Sequence, residues 1–335
     1  MISDKKTDEL PLLQIYQFLE RFPETNTIIV NGGDPLMMKP DYYWPLFNWL
    51  DERDYDTTVS FTTNLWPFYK NPEPWVDLFT HWRMGIHTSF QYGGGRLKGD
   101  FSEFTEEDFW KCSDTVLKYC GYRPEFIAVI TEENIDRAID NVLLAKEMGV
   151  ECKLNYADAS GEIKGQPFLM GHLYEVYLEI HERGLTEWEF NTKQLLDRLA
   201  NKATQCPQAR NCDEGIRVLQ PSGDYYSCGA FGDDREKPID FDYEMSGGFA
   251  YPLRNEPELQ TMKQDCYTCP LFDICNGCRK TIKDVKEAGK TEAHCRKMKE
   301  IAPRILEMGG LDPSKVTPYV NEERDFIHVQ SKLSS

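Results

Sequence analysis

The chain has no cysteine before Cys112, no long apolar run and no excess of basic residues. A membrane-spanning helix needs about 20 consecutive apolar residues, and the opening residues 1–6 lack the apolar stretch of a secretion signal. The 38 basic against 56 acidic residues give a net charge of -18, which repels the phosphates of nucleic acids and anionic lipids. We therefore predict a cytoplasmic protein that binds neither nucleic acid nor a membrane.

Common nucleotide-binding and zinc motifs are also missing. The glycines at positions 93, 94, 95 and 99 do not have the G-x-G-x-x-G spacing of a dinucleotide site. Asp284 stands where a phosphate-binding loop ending at Thr291 would need its first glycine. No two histidines have the His-x3-His spacing of a helical zinc site. His294, next to Cys295, is predicted to lie at the surface.

Cysteine is abundant near the C-terminus, where eight of the eleven cysteines fall within 90 residues. Because the thiols of an intracellular protein stay reduced, this density predicts metal ligands rather than disulfides. Eight thiols divide into two sets of four, the ligand number for two iron–sulfur clusters or two structural zinc ions, and their spacing leaves both metals open. The other three cysteines are predicted to pack in the core: Cys112, Cys120 and Cys152.

The first half of the chain alternates helical stretches with short apolar runs, which predicts parallel βα units. Thr105 is predicted to cap one helix, and another is predicted at Trp44–Leu50. A helix also precedes the first strand, and because crossover helices join parallel strands, the pattern implies a further strand before it. The five predicted strands are Thr27–Val30, Thr58–Thr62, Met84–Phe90, Phe126–Thr131 and Val150–Tyr156.

Beyond residue 200 this alternation stops, and cysteine, proline, glycine and aspartate dominate, as in a small domain held by metal. Gly223 lies in a Pro-Ser-Gly-Asp turn that favours a β-hairpin. We expect a barrel-like domain at residues 1–185, a linker or bridging helix at 186–203, a cysteine-rich domain at 204–310 and a polar tail at 311–335.

The cysteine-rich region resembles the SPASM domain of radical S-adenosylmethionine (SAM) enzymes. That pattern is a cysteine, nine to fifteen residues, Gly-x4-Cys, then Cys-x2-Cys-x5-Cys-x3-Cys and a final cysteine; here the gap from Cys275 to Cys278 is two residues instead of three. The resemblance implies two auxiliary [4Fe-4S] clusters. The first would be held by Cys206, Cys212, Cys228 and Cys278, and the second by Cys266, Cys269, Cys275 and Cys295.

The ends of the predicted strands agree with this resemblance. Gly32, Gly33 and Asp34, followed by proline, are similar to the family's Gly-Gly-Glu-Pro motif, which receives the methionyl amine of SAM, although aspartate is shorter than the usual glutamate. Strand ends are where βα barrels collect their ligands. The resemblance therefore adds four candidate SAM contacts, for which solvated loop residues are the alternative: Asn64, Ser89, Arg96 and Asn155.

The resemblance implies an α/β fold, namely a partial (β/α)6 barrel of the radical SAM type that lacks its first strand, followed by a SPASM domain. In the family, a Cys-x3-Cys-x2-Cys motif after the first strand holds a third [4Fe-4S] cluster, which cleaves SAM, and this chain has no such motif. SAM and the third cluster are therefore expected only if an upstream segment or a separate polypeptide supplies that motif. The alternative is a protein that has lost the reactive cluster.

The resemblance also implies a peptide or protein substrate, modified through hydrogen abstraction by a 5'-deoxyadenosyl radical, and a low-potential electron donor. It leaves the reaction and the catalytic residues open, because sulfatase-maturating relatives carry an aspartate base where this chain has Gly229, although Asp233 and Asp234 lie nearby. Competing hypotheses are a non-catalytic iron–sulfur protein that binds a peptide or relays electrons, and a structural zinc protein.

Basic residues surround the last thiols in an otherwise acidic chain. They are expected to offset the charge of the clusters or to dock the electron donor, with a solvated face as the alternative. These residues are Arg279, Lys280, Lys283, Arg296 and Lys297.

Overall fold

The computed structural model describes residues 9–98, 101–160, 166–200, 216–226, 228–236, 238, 275 and 279–315. Its contacts divide the chain into two compact units. The first comprises Met1–Val129 and Asp136–Leu154, and the second Ile130–Ile135 and Asn155–Ser335. None of the helices in the described ranges combines the length and the apolar character that a membrane span requires.

Five parallel strands form one curled sheet, in which the spatial order follows the chain order β1-β2-β3-β4-β5. This order is the one that consecutive βα units produce. Thr27 of β1 pairs with Thr58 of β2. Because β1 is the first strand in this order, it lies at one edge of the described sheet. The strands are β1 (Thr27–Val30), β2 (Thr58–Thr63), β3 (Met84–Ser89), β4 (Glu125–Ile130) and β5 (Cys152–Tyr156).

Helices connect these strands and bury an aromatic core. Phe68 stacks on Phe79 at a centroid distance of 4.7 Å, and Phe90 stacks on Phe109 at 4.7 Å. Such pairs stabilise a core beyond the area that they bury. The helices of this part are α1 (Leu12–Arg21), α2 (Pro40–Glu52), α3 (Trp66–Lys70), α4 (Val76–Phe79), α5 (Glu106–Cys120) and α6 (Ala138–Met148), with 3-10 turns at Pro35–Met37, Glu73–Trp75 and Ile135–Arg137.

The second unit contains helices and a short antiparallel hairpin. Gly223 in its turn has φ +89°, which suits glycine, and this confirms the predicted hairpin. The elements are α7 (Met170–Glu182), α8 (Phe190–Leu199), β6 (Val218–Leu219), β7 (Tyr225–Tyr226), α9 (Gly229–Asp234), α10 (Arg279–Glu287) and α11 (Thr291–Met308), with 3-10 turns at Thr186–Trp188 and Pro313–Lys315.

Helix α11 packs closely on α7. A Cβ atom at Gly171 of α7 would lie only 2.5 Å from Cγ of Lys297, so glycine is needed where the helices approach. Lys297 donates to Glu175 at 2.5 Å, and the guanidinium of Arg304 donates to Glu182 at 2.6 Å. Small residues and flanking ion pairs therefore set the position of α11 on α7.

The predicted α/β class with a partial parallel barrel is confirmed, and every predicted strand is present within two residues of its predicted ends. The capping prediction is also confirmed, because the Thr105 hydroxyl accepts the Asp108 N–H at 3.2 Å. The prediction for α2 was too short. That helix begins at Pro40, since proline is well suited to the first helical position, and it continues through Pro45. Helix α3 was not predicted.

Of the three cysteines predicted to pack in the core, two are fully buried. Cys112 is 0% exposed and Cys152 is 1% exposed. Burial raises the pKa of the Cys112 thiol to about 12, so this group stays protonated and inert at neutral pH. Cys120 is half-buried, and burial raises the pKa of its thiol to about 11.

Candidate functional site

The loop after β1 is built on two glycines. Gly32 has φ +94° and Gly33 has φ +65°, and nothing lies within 4 Å of where a Cβ atom would be at either position. The backbone of this turn is therefore exposed to any ligand that reaches the carboxyl end of β1, and side chains other than glycine would be strained there.

The carboxylate of Asp34 connects the ends of β1 and β2. Its Oδ1 accepts hydrogen bonds from the Leu36 N–H at 2.9 Å and from the Thr63 hydroxyl at 2.7 Å, and its Oδ2 accepts from the Asn64 N–H at 3.1 Å. Asp34 thus begins the 3-10 turn at Pro35 and fixes the neighbouring strand end. Two of the predicted SAM contacts, Asp34 and Asn64, are brought together in this way.

Replacing Asp34 with alanine is expected to lower the free energy of unfolding of the first unit by about 2 kcal/mol, because three donors lose a charged acceptor. Asp34→Asn keeps one carbonyl acceptor and should cost about half as much. Urea denaturation followed by circular dichroism measures both. A loss below about 0.5 kcal/mol for Asp34→Ala would contradict a connecting role.

The side chain of Asn64 serves the next turn. Its Oδ1 accepts the Trp66 N–H at 2.8 Å at the start of α3, while Leu65 between them has φ +61° and is fully buried. An Asx turn of this kind allows the chain to leave β2 sharply. The Asn64 backbone N–H and the Oδ1 atom are therefore both occupied by hydrogen bonds within the protein.

Ser89 and Arg96 meet at the carboxyl end of β3. One terminal nitrogen of the Arg96 guanidinium donates to the Ser89 hydroxyl at 2.8 Å, and Nε donates to Oε1 of Gln91 at 2.6 Å. Gln91 in turn donates to the Gly94 carbonyl at 3.3 Å, which ties the glycine-rich loop to the same group. The backbone carbonyl of Arg96 also accepts a hydrogen bond from the Phe104 N–H at 2.8 Å.

The Arg96 guanidinium has only neutral hydrogen-bond partners among the described residues. Burial lowers the pKa of its guanidinium to about 10, so the group is still cationic at neutral pH. A half-buried cation that contacts only an amide and a hydroxyl is only partly compensated. An anionic ligand at the end of β3 would complete its set of partners, and a planar guanidinium suits a carboxylate.

Asn155 lies on β5 and belongs to the second unit. Its Oδ1 atom is buried and has no hydrogen-bond partner among the described residues. A buried acceptor without a partner costs about 1–3 kcal/mol, so a donor from a ligand would be favourable there. Within the described first unit, no hydrogen bond or ion pair joins Asp34 or Asn64 to Ser89 or Arg96.

The predicted metal ligands are only partly within the described residues. Cys228, Cys275 and Cys295 belong to them, whereas Cys206, Cys212, Cys266, Cys269 and Cys278 lie outside. No group of three or more histidine, cysteine, aspartate or glutamate side chains in the described ranges is arranged to hold a metal ion. The two four-cysteine sets therefore stay predictions.

The prediction that His294 lies at the surface was wrong. The residue is 4% exposed, and its Nε2 lies 3.4 Å from the Sγ atom of Cys275. On α11 it begins the buried stripe that continues through Met298 and Ile301. The amphipathic period of this helix could have revealed the burial, because residues 294, 298 and 301 share a face.

Two of the basic residues near the last thiols are buried, so for them the solvated alternative was wrong. Lys280 is 1% exposed and donates to Asp234 at 2.8 Å, to Asp284 at 2.9 Å and to the Ala159 carbonyl at 3.4 Å. Lys283 pairs with Glu236 and Glu287, each at 3.0 Å. Asp234, considered above as a nearby base, is therefore an ion-pair partner.

Asp158 adds a further carboxylate to this Lys280 cluster, which comprises Asp158, Asp234, Lys280 and Asp284. Burial raises the pKa of Asp158 to about 7, with a further rise from the charge of Asp284 and an opposing effect of Lys280. Three carboxylates against one buried ammonium leave excess negative charge unless one carboxylate takes a proton. Burial also raises the pKa of Asp284, so both Asp158 and Asp284 favour the protonated form more than an exposed aspartate does.

Sequence analysis missed the side chains that support the candidate residues. Thr63 holds Asp34, and Gln91 holds Arg96. Both follow or end a strand, so their position at a strand end was the available signal. Asp158 lies two residues beyond β5 and carries the same signal.

No protein-family model and no curated protein matches the sequence. Solved structures of an anaerobic sulfatase-maturating enzyme, anSMEcpe, do match the fold. The structure described as native anSMEcpe with bound AdoMet has a TM-score of 0.61 at 14% identity, over 92% of this chain and 93% of that chain. The structure with bound AdoMet and the Kp18Cys peptide has a TM-score of 0.60 at 15% identity, over 92% and 93%.

A third structure, with bound AdoMet and the Cp18Cys peptide, has a TM-score of 0.55 at 12% identity, over 85% of this chain and 86% of that chain. Similarity at these identities concerns the course of the backbone and leaves the reaction undetermined. The chain thus has the fold of a radical SAM maturase of the sulfatase-maturating type.

Proposed function

We propose that this chain is a radical SAM/SPASM-type protein that acts on a peptide or protein and holds two auxiliary [4Fe-4S] clusters. The observation that carries the proposal is the half-buried Arg96 guanidinium at the end of β3, which has only neutral partners among the described residues. It occurs in a fold shared with anSMEcpe, an enzyme solved with AdoMet and with a peptide. When bound beside a reduced cluster, SAM supplies a radical that removes a hydrogen atom from a substrate.

The residues of the first unit fit a SAM molecule in two respects. Arg96 and Ser89 present N–H and O–H groups to which a carboxylate can bind. The open turn at Gly32 and Gly33 allows a ligand to approach the backbone. In this proposal Asp34 keeps the turn in shape, since its carboxylate oxygens already accept three hydrogen bonds.

The edge of the sheet at β1 is the place where a further strand could pair. Among the described strands, β1 has a neighbour on one side only, and Ile29 is 60% exposed on it. An exposed apolar edge strand is a template for another strand. We propose that a segment with the Cys-x3-Cys-x2-Cys motif, from upstream or from a partner polypeptide, pairs with β1 and holds the SAM-cleaving cluster.

A non-catalytic iron–sulfur protein is the second candidate. This candidate does not require the Cys-x3-Cys-x2-Cys motif, which the given sequence does not contain. Such a protein would keep the auxiliary clusters and relay electrons or bind a peptide, and it would not need a SAM site. Binding of SAM therefore discriminates between the two candidates.

Replacing Arg96 with methionine is expected to weaken SAM binding by about tenfold to 100-fold, because the carboxylate loses a charged donor. Equilibrium dialysis of anaerobically reconstituted protein against SAM measures the change. Decarboxylated SAM should bind the wild-type protein and the variant equally weakly, since both lack the same interaction. Arg183→Met serves as the control, because Arg183 is exposed and pairs only with Glu179 in the described residues.

Equal SAM affinity of wild-type protein and Arg96→Met would exclude the assigned carboxylate site. No SAM binding by wild-type protein that holds its clusters would favour the electron-relay candidate. Iron and sulfide analysis of the same preparation checks the metal separately. About eight irons per chain agree with two [4Fe-4S] clusters, whereas zinc in their place would overturn the proposal.

A further inference from the structure

His294 is a polar side chain within an apolar stripe. It is 4% exposed, and its Nδ1 atom has no hydrogen-bond partner among the described residues. Among the described residues, the polar partner of its ring is Cys275, whose Sγ atom lies 3.4 Å from Nε2. A buried imidazole with a single sulfur partner is unusual, because buried polar groups are ordinarily satisfied.

The imidazole is held in place by α11 rather than by polar neighbours. The His294 N–H donates to the Lys290 carbonyl at 2.9 Å, and the Lys290 ammonium donates to the Pro167 carbonyl at 2.7 Å. Farther along α11, Lys297 is fixed by Glu175, and Gly171 permits the close approach of α7. The position of the ring is therefore set by the helix pair.

The chemistry of the contact depends on the state of the sulfur. A cysteine that binds a metal is a thiolate, which only accepts hydrogen bonds. Nε2 must then carry the proton of the neutral ring, and Nδ1 is left as the buried acceptor without a donor. This assignment agrees with the Nδ1 atom, which has no partner in the described ranges. Hydrogen bonds to cluster sulfurs are one of the means by which proteins set reduction potentials.

We propose that His294 is a positioning residue that donates an Nε2–H hydrogen bond to the sulfur of Cys275 and raises the reduction potential of the auxiliary cluster held by Cys275. The inference rests on the proposed function, since Cys275 is one of the predicted ligands of the second cluster. The added electron increases the negative charge on the sulfur, so the donor stabilises the reduced cluster more than the oxidised cluster. The other auxiliary cluster would be unaffected.

The test is a redox titration of the reconstituted protein, followed by electron paramagnetic resonance. In His294→Leu one cluster signal should shift to a more negative potential, and the other signal should stay where it is. A tenfold loss in the preference for the reduced state corresponds to about 59 mV for a one-electron couple. His294→Gln restores an N–H donor and should recover part of the shift. His172→Leu, at an exposed histidine of α7, is the matched control.

Three outcomes would overturn the inference. Unchanged potentials in a fully loaded His294→Leu protein would show that the contact does not act on a cluster. Loss of one cluster in both His294 variants, with a strong nitrogen coupling in the wild-type signal, would make His294 a ligand instead of a donor. Equal shifts of both signals would indicate a general change in structure. Failure of the cluster assignment on which the inference rests is distinct, because the wild-type protein itself would then lack iron.

Discussion

Lys280→Met is expected to lower the free energy of unfolding of the second unit by about 3–5 kcal/mol. Lys280 is 1% exposed, and its ammonium is the cation between Asp234 and Asp284. Burial alone would lower the pKa of Lys280, but the hydrogen bonds to these carboxylates raise it above its usual value. Removing one partner of a buried ion pair leaves the others as uncompensated charges, and this is the reason for the large loss.

Urea denaturation followed by far-ultraviolet circular dichroism measures the loss, and Lys286→Met on the exposed face of α10 is the control, with an expected change within about 0.5 kcal/mol. Combining Lys280→Met with Asp234→Asn and Asp284→Asn should recover part of the stability, because the variant no longer buries those two charges. If Lys280→Met were no less stable than the control, the buried ion-pair arrangement would be refuted.

Asp158→Asn is expected to stabilise the protein above pH 7, by as much as about 4 kcal/mol, and to leave stability nearly unchanged near pH 4. The folded-state pKa of Asp158 is raised from 3.8 to about 7, so the folded protein binds this proton more tightly than the unfolded chain does. Stability contributed by the protonated group is complete below pH 3.8 and is lost as the pH rises through 7. A tenfold difference in proton affinity between the folded and unfolded states corresponds to about 1.36 kcal/mol.

The measurement is the free energy of unfolding of wild-type protein and variant at a series of pH values from 4 to 8. The difference between the two should grow with pH and level off above pH 7. Asp233→Asn is the matched control, because Asp233 is an exposed carboxylate beside the cluster, and its difference curve should be much flatter. Parallel curves for wild-type protein and Asp158→Asn would show that Asp158 is ionised throughout.

The sheet could be predicted from the sequence because its strands are local patterns. Apolar runs such as Thr27–Val30 end in glycine and polar residues, and β1 has the predicted bounds. Asp34, Asn64, Ser89 and Arg96 were named as candidates through the family resemblance, which places ligands at strand ends, and as SAM contacts they stay predictions. What could not be predicted is which of these groups bond to each other. The hydrogen bond from Thr63 to Asp34 joins residues 29 positions apart.

The Lys280 cluster shows even more clearly that the sequence does not reveal which residues contact each other. Lys280 interacts with Asp284 at a helical spacing that the sequence displays, but its bond to Asp234 spans 46 positions and its bond to Ala159 spans 121 positions. No periodic pattern encodes such contacts. The burial of Lys280 depends on how α9 and α10 pack, and basic residues in an acidic chain are ordinarily found in solvent.

The close approach of α7 and α11 at Gly171 connects a backbone position on α7 to the contact between His294 and the sulfur of Cys275. A methyl group there would meet the Lys297 side chain at 2.5 Å, so that either this side chain or α11 would have to shift. If α11 shifts, the imidazole of His294, one turn earlier on α11, would be displaced together with the helix. A substitution at Gly171, which is far upstream and does not touch a cysteine, can therefore change the distance between Nε2 of His294 and Sγ of Cys275.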